Sequence, residues 1–377
     1  MSPPVTPPPL AYASAVYDSD NKTIVLFGGV GPHGNLSNDT WVWDGSTWTD
    51  YPANVVQAPR ARRLASMAFD PKLHQLILFG GQGADGQPLG DTWAWNGASW
   101  YQETDQLVAR APNAREAAAM SYDGAGHLVL FGGTGLSSPP DPPVTSTTTT
   151  TTPPSGSPPA APATPLNAAP ASPAGAPTVL SDTWVWSDDG WAPVTTPGPS
   201  ARSGAGLAPN PTHPGALLFG GEATPAGSAS PHLLSDSWAW NGTSWAHLAL
   251  PASPPARGQA VVAADGLTGG VIAFGGAGPA GPLNDTWLWN GTGWSKARTA
   301  GAPSPRVGAA AAFDIASRQL VVFGGVGPGG VVLGDTVVLT GQAPVTLGAG
   351  STPTSGPARN GGPTSAPSSP SSRASVR

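Results

Sequence analysis

The sequence predicts an all-β fold: a closed propeller of six blades, each built from four antiparallel strands. Three observations predict it. The pattern W-x-W-x(4)-W occurs five times and uses all fifteen tryptophans: Trp41, Trp43 and Trp48; Trp93, Trp95 and Trp100; Trp184, Trp186 and Trp191; Trp238, Trp240 and Trp245; Trp287, Trp289 and Trp294. Phe-Gly-Gly occurs six times, starting at Phe27, Phe79, Phe131, Phe219, Phe274 and Phe323, at spacings of 52, 52, 88, 55 and 49 residues. An Asp followed by Thr or Ser opens the next segment in every unit, at Asp39, Asp91, Asp182, Asp236, Asp285 and Asp335. Self-similarity at a period near 50 residues is the mark of a repeat architecture, and it overrides length as a guide to domain count.

Each unit reads as four short strands. The first is a run of small apolar residues ending in Asp, such as Leu64 to Asp70. The second is strongly β-prone and ends in the glycines, as in Gln75 to Gly81. The pairs Gly28 and Gly29, or Gly80 and Gly81, lack a Cβ and so permit a bulge or the close approach of a neighbouring chain. No helix start follows them, so they do not read as a phosphate cradle. The third strand is Asp91 to Trp95, whose two tryptophans lie two residues apart and so share a face. Asp44-Gly45, Asn96-Gly97, Asn241-Gly242 and Asn290-Gly291 then predict a tight hairpin with positive φ at both turn residues. The fourth strand starts at the third tryptophan. The sixth unit reads Asp335-Thr-Val-Val-Leu339, with aliphatics in place of W-x-W. Four antiparallel strands repeated six times around a ring make a β-propeller.

These landmarks resemble the bacterial kelch-repeat family, with the propeller type also seen in galactose oxidase. The resemblance covers Leu10 to Leu347 and implies a six-bladed kelch-type propeller whose first strand is innermost. The expected blades are 10–54, 62–106, 115–196, 202–250, 257–298 and 306–347, preceded by a Pro-rich segment, 1–9. Phe and Asp stand 11 to 17 residues apart in five units but 51 apart in the third. The excess, about 136–177, contains a Thr run and Pro/Ala repeats, and it reads as a disordered insertion between the second and third strands. The Ser/Pro/Gly-rich tail, 348–377, is likewise expected to be disordered. The units run in frame, so the ring needs no exchanged strand. Its last strand is expected at Ala343 to Leu347, with Pro344 at the tryptophan position and Pro4 to Thr6 as an alternative cover for that edge.

Composition narrows the function. Cysteine is absent, which removes disulfides, thiolate metal sites and cysteine nucleophiles. Galactose oxidase-type copper chemistry uses a cysteine cross-linked to tyrosine, and this sequence has none to offer. The net charge is −6, and no Lys/Arg cluster occurs, so nucleic acid is disfavoured as a partner. No apolar run is long enough to span a membrane, and residues 1–9 lack the features of a signal peptide. Low lysine content and the Ser/Thr/Pro tail suit a cell-surface or secreted protein; a cytoplasmic one is the alternative. A monomer without cofactors is expected.

The candidate sites each have two readings. The tryptophans either fill the space between blades or offer rings for sugar stacking. Arg62, Arg115, Arg202, Arg257 and Arg306 stand eight residues before the end of the first strand, where the first unit has Leu10. With that strand innermost, they enter near one mouth of the channel. They are either ion-paired to the repeat aspartates or form a ring that binds an anion or an acidic peptide. The aspartates themselves are expected to bond nearby backbone N–H groups or the following Thr. The six histidines are scattered without metal spacing, and there are only three glutamates, Glu103, Glu116 and Glu222. No catalytic constellation emerges. A non-catalytic scaffold that binds a protein or other ligand is the expectation, with a carbohydrate-binding or carbohydrate-active propeller as the alternative.

Overall fold

The structure is a computed structural model. It describes residues 6–51, 58–103, 111–136, 177–210, 215–224, 231–266, 268–297 and 302–339, together with the backbone of a strand at 345–347. Most of the predicted insertion, Pro4, Pro344 and the tail lie outside the described residues.

Six four-stranded sheets form, and within each the strands pair in chain order, antiparallel throughout. The first sheet is typical: Ser14–Asp18, Thr23–Phe27, Thr40–Trp43 and Trp48–Tyr51. Its second strand is buried on both faces from Ile24 to Phe27, as its unbroken apolar run requires. The first strands of the six sheets touch in a closed cycle, and Ala310–Asp314 of the last sheet lies beside Ser14–Asp18 of the first. This is a propeller with the first strand of every blade innermost.

The core lies between blades. Six apolar clusters each combine residues of two adjacent sheets, and tryptophans enter five of them. A buried indole removes up to ~200 Å² from water, worth up to about 5 kcal/mol. Twelve of the fifteen tryptophans are buried; Trp184, Trp238 and Trp287 are half-buried. The third tryptophan of each triplet also acts as a peg into the preceding blade. Trp100 packs its ring on Phe27 at 5.1 Å and donates its Nε1–H to Thr40 Oγ1 at 2.9 Å. The same peg recurs as Trp191 on Phe79 and Thr92, Trp245 on Phe131 and Thr183, Trp294 on Phe219 and Ser237, and Trp48 on Phe323 and Thr336.

One joint lacks the peg. Blade six has no tryptophan, so the cluster between blades five and six is built of aliphatics, Phe274 and Phe313. Thr286 Oγ1, the equivalent acceptor in blade five, is buried with no partner among the described residues.

The ring closes in frame. The strand Val345–Leu347 pairs with Thr336–Leu339 and completes the sixth sheet. Leu10 joins blades one and six through Leu10 N–H to Leu333 C=O at 3.2 Å and Gly325 N–H to Leu10 C=O at 2.9 Å.

The turns differ from the expected hairpin. Trp43 pairs with Trp48 and Trp95 with Trp100, so each loop holds four residues rather than two. Only the glycine has positive φ, 92° at Gly97. The Asn accepts hydrogen bonds instead: Asn96 Oδ1 takes the N–H groups of Ala98 and Ser99. The side chain closes the turn that its backbone was expected to make.

Candidate functional site

The mouth of the channel is built by a backbone device that no residue type announces. Just after the repeat arginine, one residue per blade adopts left-handed φ: Tyr12 at 56°, Leu64 at 58°, Ala117 at 53°, Gly204 at 59°, Gln259 at 53° and Gly308 at 61°. Each N–H of this set donates to the equivalent carbonyl of the preceding blade. The cycle runs Leu64 to Tyr12, Ala117 to Leu64, Gly204 to Ala117, Gln259 to Gly204, Gly308 to Gln259 and Tyr12 to Gly308, at 2.7 to 3.1 Å. Four of the six are not glycine, and each of those pays about 1–2 kcal/mol for its conformation, which the surrounding structure must supply. The ring surrounds a cavity of about 120 Å³.

The arginines hold this ring from behind. All five are buried, and their side chains run outward into their own blades. Arg62 donates Nε–H to Arg60 C=O at 3.0 Å, Nη1–H to Gly80 C=O at 2.8 Å and to Asp91 Oδ1 at 2.7 Å, and Nη2–H to Asp91 Oδ2 at 2.7 Å. Arg115 with Asp182, Arg202 with Asp236, Arg257 with Asp285 and Arg306 with Asp335 repeat the bidentate pair. The sequence set two partners before each aspartate, arginine or backbone. In these five blades the carboxylate takes the arginine, and in four of them a nearby indole as well: Trp93, Trp184, Trp238 and Trp287 donate Nε1–H at 2.7 Å. Burial alone would raise the carboxyls of Asp91, Asp182, Asp236 and Asp285, but the arginine and indole donors hold them below the ordinary aspartate value.

Each arginine also latches its blade to the one before. Its carbonyl accepts the N–H of the second glycine in Phe-Gly-Gly, as from Gly81 to Arg115 at 2.9 Å. The first glycine sits so close that a Cβ at Gly80 would lie 2.4 Å from that same oxygen. Of the two roles its sequence allowed, the glycine pair serves the close approach of a neighbouring chain, with φ of 66° and 101° at Gly80 and Gly81. Blade one lacks the arginine. Asp39 accepts from the Ser37 hydroxyl at 3.0 Å, and Trp41 Nε1 is buried with no partner among the described residues.

Between the buried arginine and the ring, one residue per blade bridges to the residue after Phe-Gly-Gly. The six bridges are Ala11 with Val30, Arg63 with Gln82, Glu116 with Thr134, Ser203 with Glu222, Gly258 with Ala277, and Val307 with Val326. The repeat breaks here. Blades two to four carry a polar arc, and blades five, six and one an apolar arc. Within the polar arc, Arg63 Nε–H donates to Gln82 Oε1 at 2.8 Å, and its guanidinium lies 6.0 Å over the Tyr12 ring. Glu116 has one carboxylate oxygen, Oε2, buried without a hydrogen-bond partner among the described residues. Burial pushes its carboxyl up, against the pull of the Arg63 charge.

Residues 2–149 match the KLHDC2/KLHL20/DRC7 kelch-repeats domain. The repeats in that stretch are similar to kelch repeats. An F-box/kelch-repeat protein of Arabidopsis thaliana, At1g51550, is 31% identical over 126 residues, 30% of this chain. That match spans only 26% of the plant protein, so the chain corresponds to about a quarter of its relative's length. The solved structure of YjhT aligns with 92% of this chain and all of its own, at a TM-score of 0.60 and 17% identity, a likeness of fold. No group of histidine, aspartate and glutamate side chains able to hold a metal occurs among the described residues. Within the propeller frame, sequence reasoning located the arginines and aspartates but missed the mouth. Tyr12, Arg63, Glu116 and Gln259 differ in type at equivalent positions, so no motif marks them. The signal available was the offset: one and two residues after each repeat arginine.

Proposed function

We propose that this kelch propeller is a non-catalytic binding scaffold whose partner engages the channel mouth beside Tyr12, Arg63, Glu116 and Gln259. The observation that carries this reading is the broken symmetry of the six bridges. Blades that repeat so closely elsewhere divide here into a polar and an apolar arc, and one buried glutamate oxygen in the polar arc lacks a donor. A protein segment with a basic or amide-bearing side chain beside an aliphatic one is complementary to that division. The five buried arginines act beneath the surface, with four guanidinium hydrogen bonds already made inside the protein by Arg62 and five by Arg202, and hold the floor of the site rather than touch the partner.

The test is to pan a displayed random-peptide library against the full chain. Enriched peptides should carry Lys, Arg, Asn or Gln next to an aliphatic residue. Glu116→Gln and Arg63→Ala should each weaken them about tenfold or more without changing the fold. Peptides indifferent to both substitutions would overturn the site. The burial of twelve tryptophans disfavours the carbohydrate alternative, since those rings cannot stack on a sugar; a glycan-array signal lost on substituting Tyr12 would restore it.

A further inference from the structure

The other end of the channel is chemically unlike the mouth. The inner strands end there in Asp18, Asp70, Asp123, Asp265 and Asp314, with Asn210 in blade four. Asp18, Asp70, Asp123 and Asp314 turn their carboxylates to N–H groups of the following turns, and the Asp265 carboxylate accepts from Thr268. None of the five lines the bore. The residue before each is Tyr17, Phe69, Tyr122, Pro209, Ala264 or Phe313. The four aromatics fall on contiguous blades six, one, two and three, and the small residues on blades four and five. An aromatic arc thus faces an open side. Behind it the lining is aliphatic, with alanines such as Ala68 and Ala263 interspersed with Val16, Met67, Met120 and Leu207. The cavity volume is about 360 Å³, and no charged side chain lines it among the described residues.

That volume falls within the range of small-molecule sites, at about 300–1,000 Å³. The lining discriminates among ligands. A sugar brings a hydroxyl on nearly every carbon, and burying each without a partner costs about 1–3 kcal/mol. Against these the side chains of the lining offer two phenols and two serines, Ser19 and Ser121, and the Ser121 hydroxyl already donates to Tyr122 C=O at 3.0 Å. A charged ligand would find no counter-ion. A neutral, flat, largely apolar molecule would find an arc of four aromatic side chains and a bore of aliphatic ones. We infer that this end of the channel is a second binding site, taking a neutral aromatic molecule of one or two fused rings. It is independent of the partner site at the mouth, and the two face opposite ends of the same bore.

The probe is N-phenyl-1-naphthylamine, a neutral dye that brightens in apolar surroundings, titrated into the full chain. Saturable brightening at one site per chain is expected. Ala264→Phe closes the open side with a phenylalanine, as Phe69 and Phe313 stand in two sister blades, and should weaken binding about tenfold or more. Tyr122→Ala removes one ring wall and should also weaken it, which keeps the test valid if the first variant folds poorly. Arg63→Ala, at the opposite mouth, should leave the titration unchanged. Absence of saturable binding to the wild-type chain, or equal binding by well-folded Ala264→Phe, would overturn the inference and identify the bore as a water-filled channel.

Discussion

The tryptophan peg offers an internal control that few proteins provide, because one joint of the ring lacks it. Thr92 and Thr286 occupy the same register position, each opposite the phenylalanine of Phe-Gly-Gly. Both are buried, at 8% and 6% exposure. Thr92 Oγ1 accepts Trp191 Nε1–H at 3.0 Å, whereas Thr286 Oγ1 has no partner among the described residues. Valine nearly preserves the shape of threonine, so packing should hardly change. Thr92→Val strands a buried indole N–H, which costs about 1–3 kcal/mol. Thr286→Val removes a buried hydroxyl that already lacks a partner, and should be neutral or stabilising by about 1 kcal/mol. The same substitution should therefore differ by about 1–4 kcal/mol between two equivalent sites. Urea unfolding with a common slope reads this difference directly. A double-mutant cycle of Thr92→Val with Trp191→Phe should recover most of the cost as coupling. Equal destabilisation at Thr92 and Thr286, or a loss above about 1 kcal/mol at Thr286, would refute the peg as the distinction between the joints.

Three further outcomes are expected. Asp91, Asp182, Asp236 and Asp285 have carboxyls held below the ordinary value, so their contribution is complete above about pH 4. It is lost as pH falls further through their folded pKa values, and Asp91→Asn should flatten that acid slope in stability measured against pH. Gly80→Ala must hold φ at 66° and bring a Cβ within 2.4 Å of Arg115 C=O, so it should cost at least about 2 kcal/mol by denaturant unfolding. Deleting residues 138–176 and joining the ends with a short turn should change stability by about 1 kcal/mol or less, because Gly135 and Thr178 already pair as a hairpin stem. A collapsed chain by circular dichroism would contradict the reading of that segment as an insertion.

What the sequence disclosed follows from periodicity. The strands were legible because apolar runs, glycine pairs and Asp-Thr recur in fixed order, and the arginines because five of six units carry them at one offset. Arg62 and Asp91 were candidate partners, yet nothing in a 29-residue separation says that both oxygens of the carboxylate would be used. The contact of the Arg115 carbonyl with Gly81 belongs to the backbone and leaves no trace in side-chain type. The mouth was hidden for a related reason. Its six residues share a left-handed conformation that two glycines adopt readily and that Tyr12, Leu64, Ala117 and Gln259 accept at a cost. The turn at Asn96 was placed well and explained wrongly, because an Asn-Gly pair fits both a two-residue hairpin and a longer loop closed by its amide.

A ring of blades has six joints but only five connecting segments of chain. The joint between the last blade and the first is the one with no peptide running through it, and it carries the whole set of attachments: Trp48 in Thr336, Phe323 against Trp48, and Leu10 bonded to blade six through both its N–H and its C=O. The joint between blades five and six is the poorest, and there the chain continues directly from one blade to the next. The covalent tether stands in for the missing indole. Joining Leu10 to Leu347 through a linker and cutting the chain at 298–301 would strip the poor joint of its tether and make the same set of contacts markedly less stable than a cut between blades four and five.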